Sequence, residues 1–425
     1  MADGQLYRGV LRSFSVKDGY GFVRCQELHE TFGRDVYVPV SLLPASICCG
    51  ARVIFTLAFN ERGQPRCEQL LEEDTSNIDA LSALDLLPLD LNLEPCCEAT
   101  VESLGGCCAR VVSWNLLAPS YCSGAFFKDV DPEALRWPRR ATQIKKVLHC
   151  LAPTIVCLQE VELDRPLEDL GLSDYAVAFV QRPKRLNGLD RKDGCLIAWQ
   201  REAFRLIRQQ PLYYDDFPPP HACQQDEGNP SGHVALLVEL QPTDAPEGWT
   251  VLVATTHLAW NDTREDLRTH QAFVLLQAVL SYQNDYAIIC GDFNMTPQSP
   301  THGLVSQYFC SAYQDLEKQC GESGVVTTTN ALARSGQGFA EIIDYCWLRS
   351  PEGAAYWDPW KQPSQLGPWA CRRLRLPCRA WLRSFYGAAP QAPLPTLLAS
   401  GRWPSDHFPI AVDVVFWTEP GDAGT

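Results

Sequence analysis

The sequence predicts an α/β protein: two packed sheets flanked by helices, with a small antiparallel β-barrel in front. Three observations lead there. From Ala109 onward, apolar strands alternate with amphipathic helices, the pattern of layered α/β domains. Those strands are apolar on both faces, so other layers must cover the sheets they form. Residues 7–70 instead show short strands separated by turn signals, with no helical period. At 425 residues, the chain suits one large domain and a smaller one.

The short strands are expected at Gly9–Phe14, Gly21–Cys25, Asp35–Val40, Arg52–Phe55 and Arg66–Leu70. Residues i and i+2 of a strand share a face. Tyr20 with Phe22, and Tyr37 on the neighbouring strand, can therefore form a platform on which bases stack. The stretch DGYGFV (Asp18–Val23), followed by DVYV (Asp35–Val38), resembles a cold-shock domain, an OB-like barrel, over residues 1–70. The resemblance implies a single-stranded RNA or DNA face that includes Phe14, Tyr20, Phe22 and Tyr37. Two departures stand out: Ser13 replaces a tryptophan usual before Phe14, and Pro39-Val40 replace the usual His and Phe. Each lost stack removes about 1–3 kcal/mol of binding.

Residues 71–106 read as an acidic linker broken by Pro88 and Pro95, with a docking peptide as the other reading. Residues 71–109 hold nine Asp/Glu and no Lys/Arg, which accounts for most of the net charge of -15. The overall sign thus leaves a polyanionic substrate open, because an acidic catalytic domain is expected where carboxylates hold divalent cations. The 19 cysteines are scattered through apolar runs and suggest reduced core thiols of a cytoplasmic or nuclear protein. No basic segment leads into an apolar stretch at Met1, and no long uncharged apolar run follows, so no membrane association is expected.

In the large domain, 107–417, strands are expected at Arg110–Asn115, Thr154–Glu160, Gly194–Trp199, Val234–Leu240, Thr250–His257, Tyr286–Phe293, Ile342–Leu348 and Phe408–Phe416. The clearest helices run over Pro138–Leu151 and Arg264–Tyr282. Between 353 and 401 periodicity fails. There Arg372, Arg373, Arg375, Arg379 and Arg383 alternate with Trp369, Trp381 and Phe385, which suggests either an RNA-contacting cluster or a solvated surface insertion.

Polar residues punctuate the strand ends: Asn115 in SWNLLAPSY, Glu160 in CLQEVE, His257 and Asn261 in TTHLAWND, Asp292 and Asn294 in GDFNMTP, Asp344 in IIDYCW, and Asp406 with His407 in PSDHFPI. One such residue alone is usually a turn former or cap. Repetition of a single design, an apolar strand ending in a carboxylate, amide or imidazole, points to a site. Carboxylates suit Mg²⁺, imidazoles and amides donate to phosphoryl oxygens, and a carboxylate can orient attacking water.

LQE, THL, GDFN, IDY and SDH, in this order, resemble the signature set of the endonuclease/exonuclease/phosphatase superfamily. That resemblance implies a four-layer α/β sandwich and metal-assisted phosphoester hydrolysis. It assigns Glu160 as main Mg²⁺ ligand, assisted by Asn115 and Asp406. Asp292 would orient or deprotonate water with Asn294 beside it, His257 would contact the phosphoryl oxygens, and His407 would stabilise the transition state with its ring oriented by Asp344. One or two Mg²⁺ ions are implied, with Mn²⁺ as a substitute.

RWPRR (Arg136–Arg140), KDGC (Lys192–Cys195) and RTHQ (Arg268–Gln271) resemble the carbon-catabolite-repressor-type deadenylase branch, with nocturnin and the angel proteins. The implied function is 3′ to 5′ hydrolysis of single-stranded RNA, with poly(A) as leading substrate; a small-nucleotide phosphatase or phosphodiesterase, or a non-catalytic RNA-binding protein, are the alternatives. Trp260, Asn261 and Lys192 are the candidate substrate contacts, Lys192 equally readable as a solvated lysine before an Asp-Gly turn. Deadenylases of this branch carry HW-Asp-Pro where this chain has Ala259-Trp260-Asn261-Asp262, so the proline face that sandwiches a base is absent.

Overall fold

The computed structural model describes residues 6–15, 19–43, 52–60, 63–71, 93–95, 107–122, 127–163, 167–183, 192–219, 231–245, 248–261, 263–282, 284, 286–319, 321–330, 339–349, 369–386, 388, 392, 394–401 and 403–416. Most of the stretch read as linker, Asp262 and much of the 353–401 region lie outside them.

Near the N-terminus, β1 (Leu6–Ser15), β2 (Tyr20–Arg24), β3 (Val36–Pro39), β4 (Arg52–Phe59) and β5 (Pro65–Leu71) close into a barrel in the order β1-β2-β3-β5-β4. The closing pair β3–β5 is parallel, at Tyr37 and Arg66, where an all-antiparallel barrel was expected. Alternate side chains decide inside from outside. Leu11, Val23, Val36, Val38, Phe55 and Cys67 fill the interior, while Tyr20, Phe22 and Tyr37 point outward, each more than a third exposed. The outward rings touch: Tyr20 stacks on Tyr37 at 5.8 Å between centroids, and Phe22 meets Tyr20 edge-on at 5.7 Å. The side chain of Phe14 lies outside the described residues. A helix that sequence reading missed, Gln26–Phe32, follows β2 and ends at Gly33 with φ 66°; Leu28 and Phe32, one turn apart, pack on the barrel core.

The rest of the chain contributes β6 (Leu93–Pro95), β7 (Cys107–Asn115), β8 (Ile155–Glu162), β9 (Tyr175–Gln181), β10 (Asp193–Gln200), β11 (Phe204–Tyr213), β12 (Val234–Pro242), β13 (Val251–His257), β14 (Tyr286–Asp292), β15 (Cys310–Ser311), β16 (Thr328–Asn330), β17 (Phe339–Glu341), β18 (Asp344–Arg349), β19 (Trp369–Leu374) and β20 (Ile410–Phe416). A seven-stranded sheet, β6-β19-β20-β7-β8-β10-β9, faces a six-stranded sheet, β11-β12-β13-β14-β18-β15. Between them lies a single large core that includes Trp114, Leu158, Ile197, Val253, Ile289 and Trp347.

Among the described residues two neighbouring pairs within these sheets are parallel, β7–β8 and β13–β14. A parallel pair needs a crossover, and a helix supplies it each time: Trp137–Leu151 between β7 and β8, and Glu265–Leu280 between β13 and β14. Ile144, Val147, Leu148 and Leu151 of the first, and Ala272, Leu275, Leu276 and Val279 of the second, are buried in the core. Both sheets are thus helix-covered, the expected sandwich. Among the described residues no helix is long and apolar enough to cross a membrane.

Several strands escaped sequence reading, for physical reasons. β11 is an edge strand exposed from Arg205 to Pro211, so it carries no apolar alternation. β19 crosses the stretch read as aperiodic, because its arginines take carboxylate partners: Arg372 bonds Asp413 at 2.8 Å and Arg373 bonds Asp315. Further along, Arg379 pairs with Glu341 and Arg383 with Glu322, so these four arginines tie the insertion to the domain. Leu93–Pro95, inside the stretch read as linker, adds an edge strand to β19.

Candidate active site

The two parallel crossovers bring every chemically distinctive strand end to one side. β7 ends at Asn115, opposite Gln159 of β8, one residue before Glu160. β13 ends at His257, opposite Asp292 at the end of β14. β18 runs back from Asp344, itself opposite Asp292. β20 runs back from Ile410, opposite Ser113, so Asp406 and His407 stand beside Asn115.

Local backbone then aims the side chains. Glu160 has φ 57°, in the left-handed region that residues other than glycine rarely enter. The register against β10 slips at the same place, from Gly194–Val161 to Leu196–Leu158. This bulge re-aims Glu160 out of the pleat. Asn294 is also left-handed, at φ 50°. Gly291 has φ 148°, and a Cβ there would sit 2.0 Å from the Thr256 carbonyl oxygen, so the GDFN strand can only lie this close to β13 with glycine.

Asn115, Asp292, Asp344, Asp406, His257 and His407 are all buried. Asn115 Nδ2 donates to Glu160 at 3.1 Å and to Asp292 at 3.0 Å, and its Oδ1 accepts from the Leu117 amide at 2.9 Å. It therefore braces two carboxylates where the sequence suggested an oxygen ligand. Glu160 also accepts the Ala118 amide at 2.8 Å. Asp292 accepts the Asn294 amide at 3.0 Å, and Asn294 Nδ2 donates to the Leu258 carbonyl. Asp344 receives His407 Nδ1 at 2.9 Å, leaving Nε2 3.7 Å from Asp292. The indoles of Trp114 and Trp403 both donate to the His407 carbonyl, at 2.9 and 2.8 Å.

Burial dominates the electrostatics. It pushes the Glu160 carboxyl up to about 7, with Asp193 adding to the rise. Burial likewise raises Asp292, against the pull of His407, and raises Asp406. His257 is driven well below its ordinary range by burial, with Arg182 and His407 adding to the fall, so it is neutral. Burial would also lower His407, but Asp344 and Asp292 outweigh it and hold that imidazolium well above.

These residues fit a hard divalent cation. Asp406 Oδ1 is buried with no hydrogen-bond partner among the described residues, and Glu160 is a desolvated carboxylate beside it. Asp292, Asp344 and His407 also bring ligand atoms within 4.8 Å of one another. In that trio His407 Nδ1 is already engaged by Asp344, which leaves Nε2 as its one ligand atom.

The remaining sequence candidates divide. Trp260 follows β13 at the same end, 46% exposed. Lys192 is exposed just ahead of β10. Asn261 closes a turn, its Oδ1 accepting from Thr263 N and Oγ1 at 3.1 and 2.9 Å. The site also contains residues that sequence reading left unassigned. Glu162 accepts the Ser120 amide, and Asp193 accepts Tyr121 Oη at 2.8 Å with Arg182 at 3.4 Å. His233 Nδ1 donates to the His257 carbonyl at 3.0 Å. Gln159 Nε2 links Ser113 to Thr255 across the two sheets. Asp193 and Gln159 stood inside flagged motifs; His233 and Arg182 carried no signal.

The Endonuclease/Exonuclease/phosphatase family matches residues 112–419, well over half of the chain. The chain belongs to this family. Among curated relatives it is similar to protein angel homolog 2 of Danio rerio, 31% identical over 46% of this chain and 34% of that protein. It is also similar to the CCR4-Not complex 3′-5′-exoribonuclease subunit Ccr4 of Saccharomyces cerevisiae, 28% identical over 56% of this chain and 33% of that protein. The chain thus spans about a third of the length of these relatives. Among solved structures, ANGEL2, a 2′,3′-cyclic phosphatase, in complex with adenosine-2′,3′-vanadate shares the fold at TM-score 0.57 and 19% identity, over 76% of this chain and 98% of that one. The human nocturnin catalytic domain does so at TM-score 0.51 and 22% identity, over 73% and 94%.

A pH-linked consequence follows for this family member without metal. Unfolded carboxyls have lost their protons by about pH 6.5, whereas Glu160, raised to about 7, still holds part of its proton in the folded chain. Asp292, Asp406 and His407 are shifted in the same direction, and His257, driven the other way, offsets part of this near pH 6.5. The folded state binds more protons, so stability falls as pH rises from about 6.5 to about 8. Thermal melts in chelator should show Tm dropping over that window and Mg²⁺ removing the drop. A Tm in chelator that is flat or rises would contradict this charge distribution.

Proposed function

We propose that this chain is a divalent-metal-dependent phosphoesterase that shortens single-stranded RNA from its 3′ end, with poly(A) the leading substrate. The convergence of Glu160, Asp292, Asp344 and Asp406 with two imidazoles at one sandwich edge carries the reading. Glu160 and Asp406 would hold Mg²⁺, or Mn²⁺ in its place, with Asn115 bracing Glu160. The ion supplies Lewis-acid polarisation of a phosphoryl oxygen.

The other steps belong to the chain. Asp292, 3.0 Å from the Asn294 amide, orients water and accepts its proton. Its raised pKa brings it near the operating pH, which favours a general base. His257 is neutral and donates a hydrogen bond to a phosphoryl oxygen. His407 remains an imidazolium fixed by Asp344 and stabilises the charge that builds on the phosphorus oxygens. Trp260, exposed at the same end of the sheets, would offer a stacking face to the terminal base, and the exposed Lys192 would contact a phosphate.

A second reading, a phosphatase or phosphodiesterase for a small nucleotide, is favoured by one departure. Asp262 replaces the proline that completes the base sandwich in deadenylases, which weakens the argument for adenine selection. Labelled oligo(A), oligo(U), an RNA ending in a 2′,3′-cyclic phosphate, and nicotinamide dinucleotide phosphate separate the two. A Mg²⁺-dependent ladder of shortened RNA supports the exonuclease. Terminal phosphate chemistry without shortening would replace it with the second reading.

Glu160→Ala should abolish turnover with the circular dichroism spectrum unchanged. Asp292→Asn should lower kcat by about 10²–10⁴ while keeping RNA affinity, since an amide cannot take the proton. Parallel loss of binding and turnover in Asp292→Asn would make it a structural residue.

The barrel, residues 1–70, is proposed to hold the body of the same RNA on Tyr20, Phe22 and Tyr37. Tethering a second contact raises the effective concentration of substrate at the site. Tyr20→Ala with Phe22→Ala should raise KM on long single-stranded RNA at least about tenfold, each stack contributing about 1–3 kcal/mol. On a short oligonucleotide KM should not change. Equal KM on long RNA for parent and variant would assign the barrel another role.

A further inference from the structure

Arg140 is fully buried, yet no step of the chemistry above uses it. It stands in the first turn of the helix Trp137–Leu151 and spends its guanidinium on the loops that carry the site. Nε donates to the Pro404 carbonyl at 2.6 Å, Nη1 to Cys122 Sγ at 2.8 Å, and Nη2 to the carbonyls of both Leu116 and Leu117. Pro404 lies two residues before Asp406, and Leu116 directly follows Asn115.

The two Nη2 acceptors have a property that reaches the site. The Leu116 carbonyl belongs to the same peptide unit as the Leu117 amide, which donates to Asn115 Oδ1 at 2.9 Å. The Leu117 carbonyl belongs to the same peptide unit as the Ala118 amide, which donates to Glu160 at 2.8 Å. In a trans peptide the C=O and N–H point in opposite directions. Each of these units therefore takes charge from Arg140 on one side and hands a polarised N–H to a site residue on the other. Hydrogen bonds in such a series strengthen one another. Leu117 adopts φ 58°, a left-handed conformation unusual for leucine, and this lets successive carbonyls converge on one guanidinium. Ser405 completes the clasp, its Oγ donating to the Asn115 carbonyl at 2.7 Å and accepting from the His407 amide at 3.2 Å.

We infer that Arg140 is a positioning residue for divalent-cation binding, orienting Glu160 and Asn115 through the Leu116–Leu117 and Leu117–Ala118 peptide groups and holding the Asp406 loop beside them. This rests on the metal-dependent reading of the site. A guanidinium suits the task because its planar fork supplies five N–H donors in fixed directions, whereas an ammonium supplies a compact point charge. Lysine at 140 keeps the charge and loses the fork.

The test is the Kd of Mg²⁺ measured by isothermal titration calorimetry on the full chain, parent against Arg140→Lys, with thermal melts of both. Loss of outer-shell support for a ligand typically weakens metal binding about 10- to 100-fold. Arg140→Lys should raise the Kd by that factor, and turnover should recover toward the parental kcat at saturating Mg²⁺. A variant with a lower Tm but an unchanged Kd would show a purely structural role and overturn the inference. Should Arg140→Lys fail to fold, the side-chain ¹⁵Nε–¹Hε resonance of Arg140 in the parent protein replaces it. That resonance should shift on Mg²⁺ addition in step with binding, and its indifference to bound Mg²⁺ would overturn the inference. A parent protein that binds no Mg²⁺ and works at full rate in chelator sinks the metal-dependent reading instead.

Discussion

Burying several carboxylates at one edge of a protein is the constraint on which this structure turns. Glu160, Asp292, Asp344 and Asp406 are withdrawn from water within one cluster. Desolvated like charges resist ionisation, and the chain answers with every donor it can place. Asn115 bridges two of them, the Ala118 and Asn294 amides cap two, and His407 neutralises a third. One oxygen, Asp406 Oδ1, is left with no donor among the described residues. Such an arrangement is stable where a proton or a divalent cation completes it.

The fold exists to make that cluster. Two βαβ crossovers, one in each sheet, deliver Asn115 with Glu160 and His257 with Asp292 to the carboxyl ends of adjacent strands. Antiparallel neighbours then return Asp344 and His407 to the same edge. Precision comes from strain at few points, Glu160 and Asn294 in left-handed backbone and Gly291 pressed against Thr256. A core continuous across both sheets, with Trp114 and Trp403 gripping the His407 carbonyl, resists relaxation of that strain.

Legibility in the sequence followed apolar pattern and local motif. β8, β13 and β14 are buried on both faces and end in polar residues, so both their existence and their site residues could be read directly. β11 is exposed and β19 balances arginine against aspartate, so neither carries an apolar signal. The same limit applies within the site. Glu160 and His407 sit in recognisable motifs, but the direction of an amide does not show in a sequence, and Asn115 turns its nitrogen to the carboxylates and its oxygen to Leu117. Arg140 was visible as one arginine of RWPRR. Its part in the site depends on carbonyls of Leu116, Leu117 and Pro404, which share no local sequence pattern with it.

The central claim is that the cluster is a cation site centred on Glu160 and Asp406, with Asp292, Asp344 and His407 left for proton transfer and charge stabilisation. Crystals of the protein grown with Mn²⁺, measured for anomalous scattering at the manganese edge, test it directly. The account predicts a peak bonded to Glu160 and adjoining Asp406, with His407 still hydrogen-bonded to Asp344. A peak held instead by Asp292, Asp344 and His407, or full occupancy of a site that Glu160 does not touch, would contradict it.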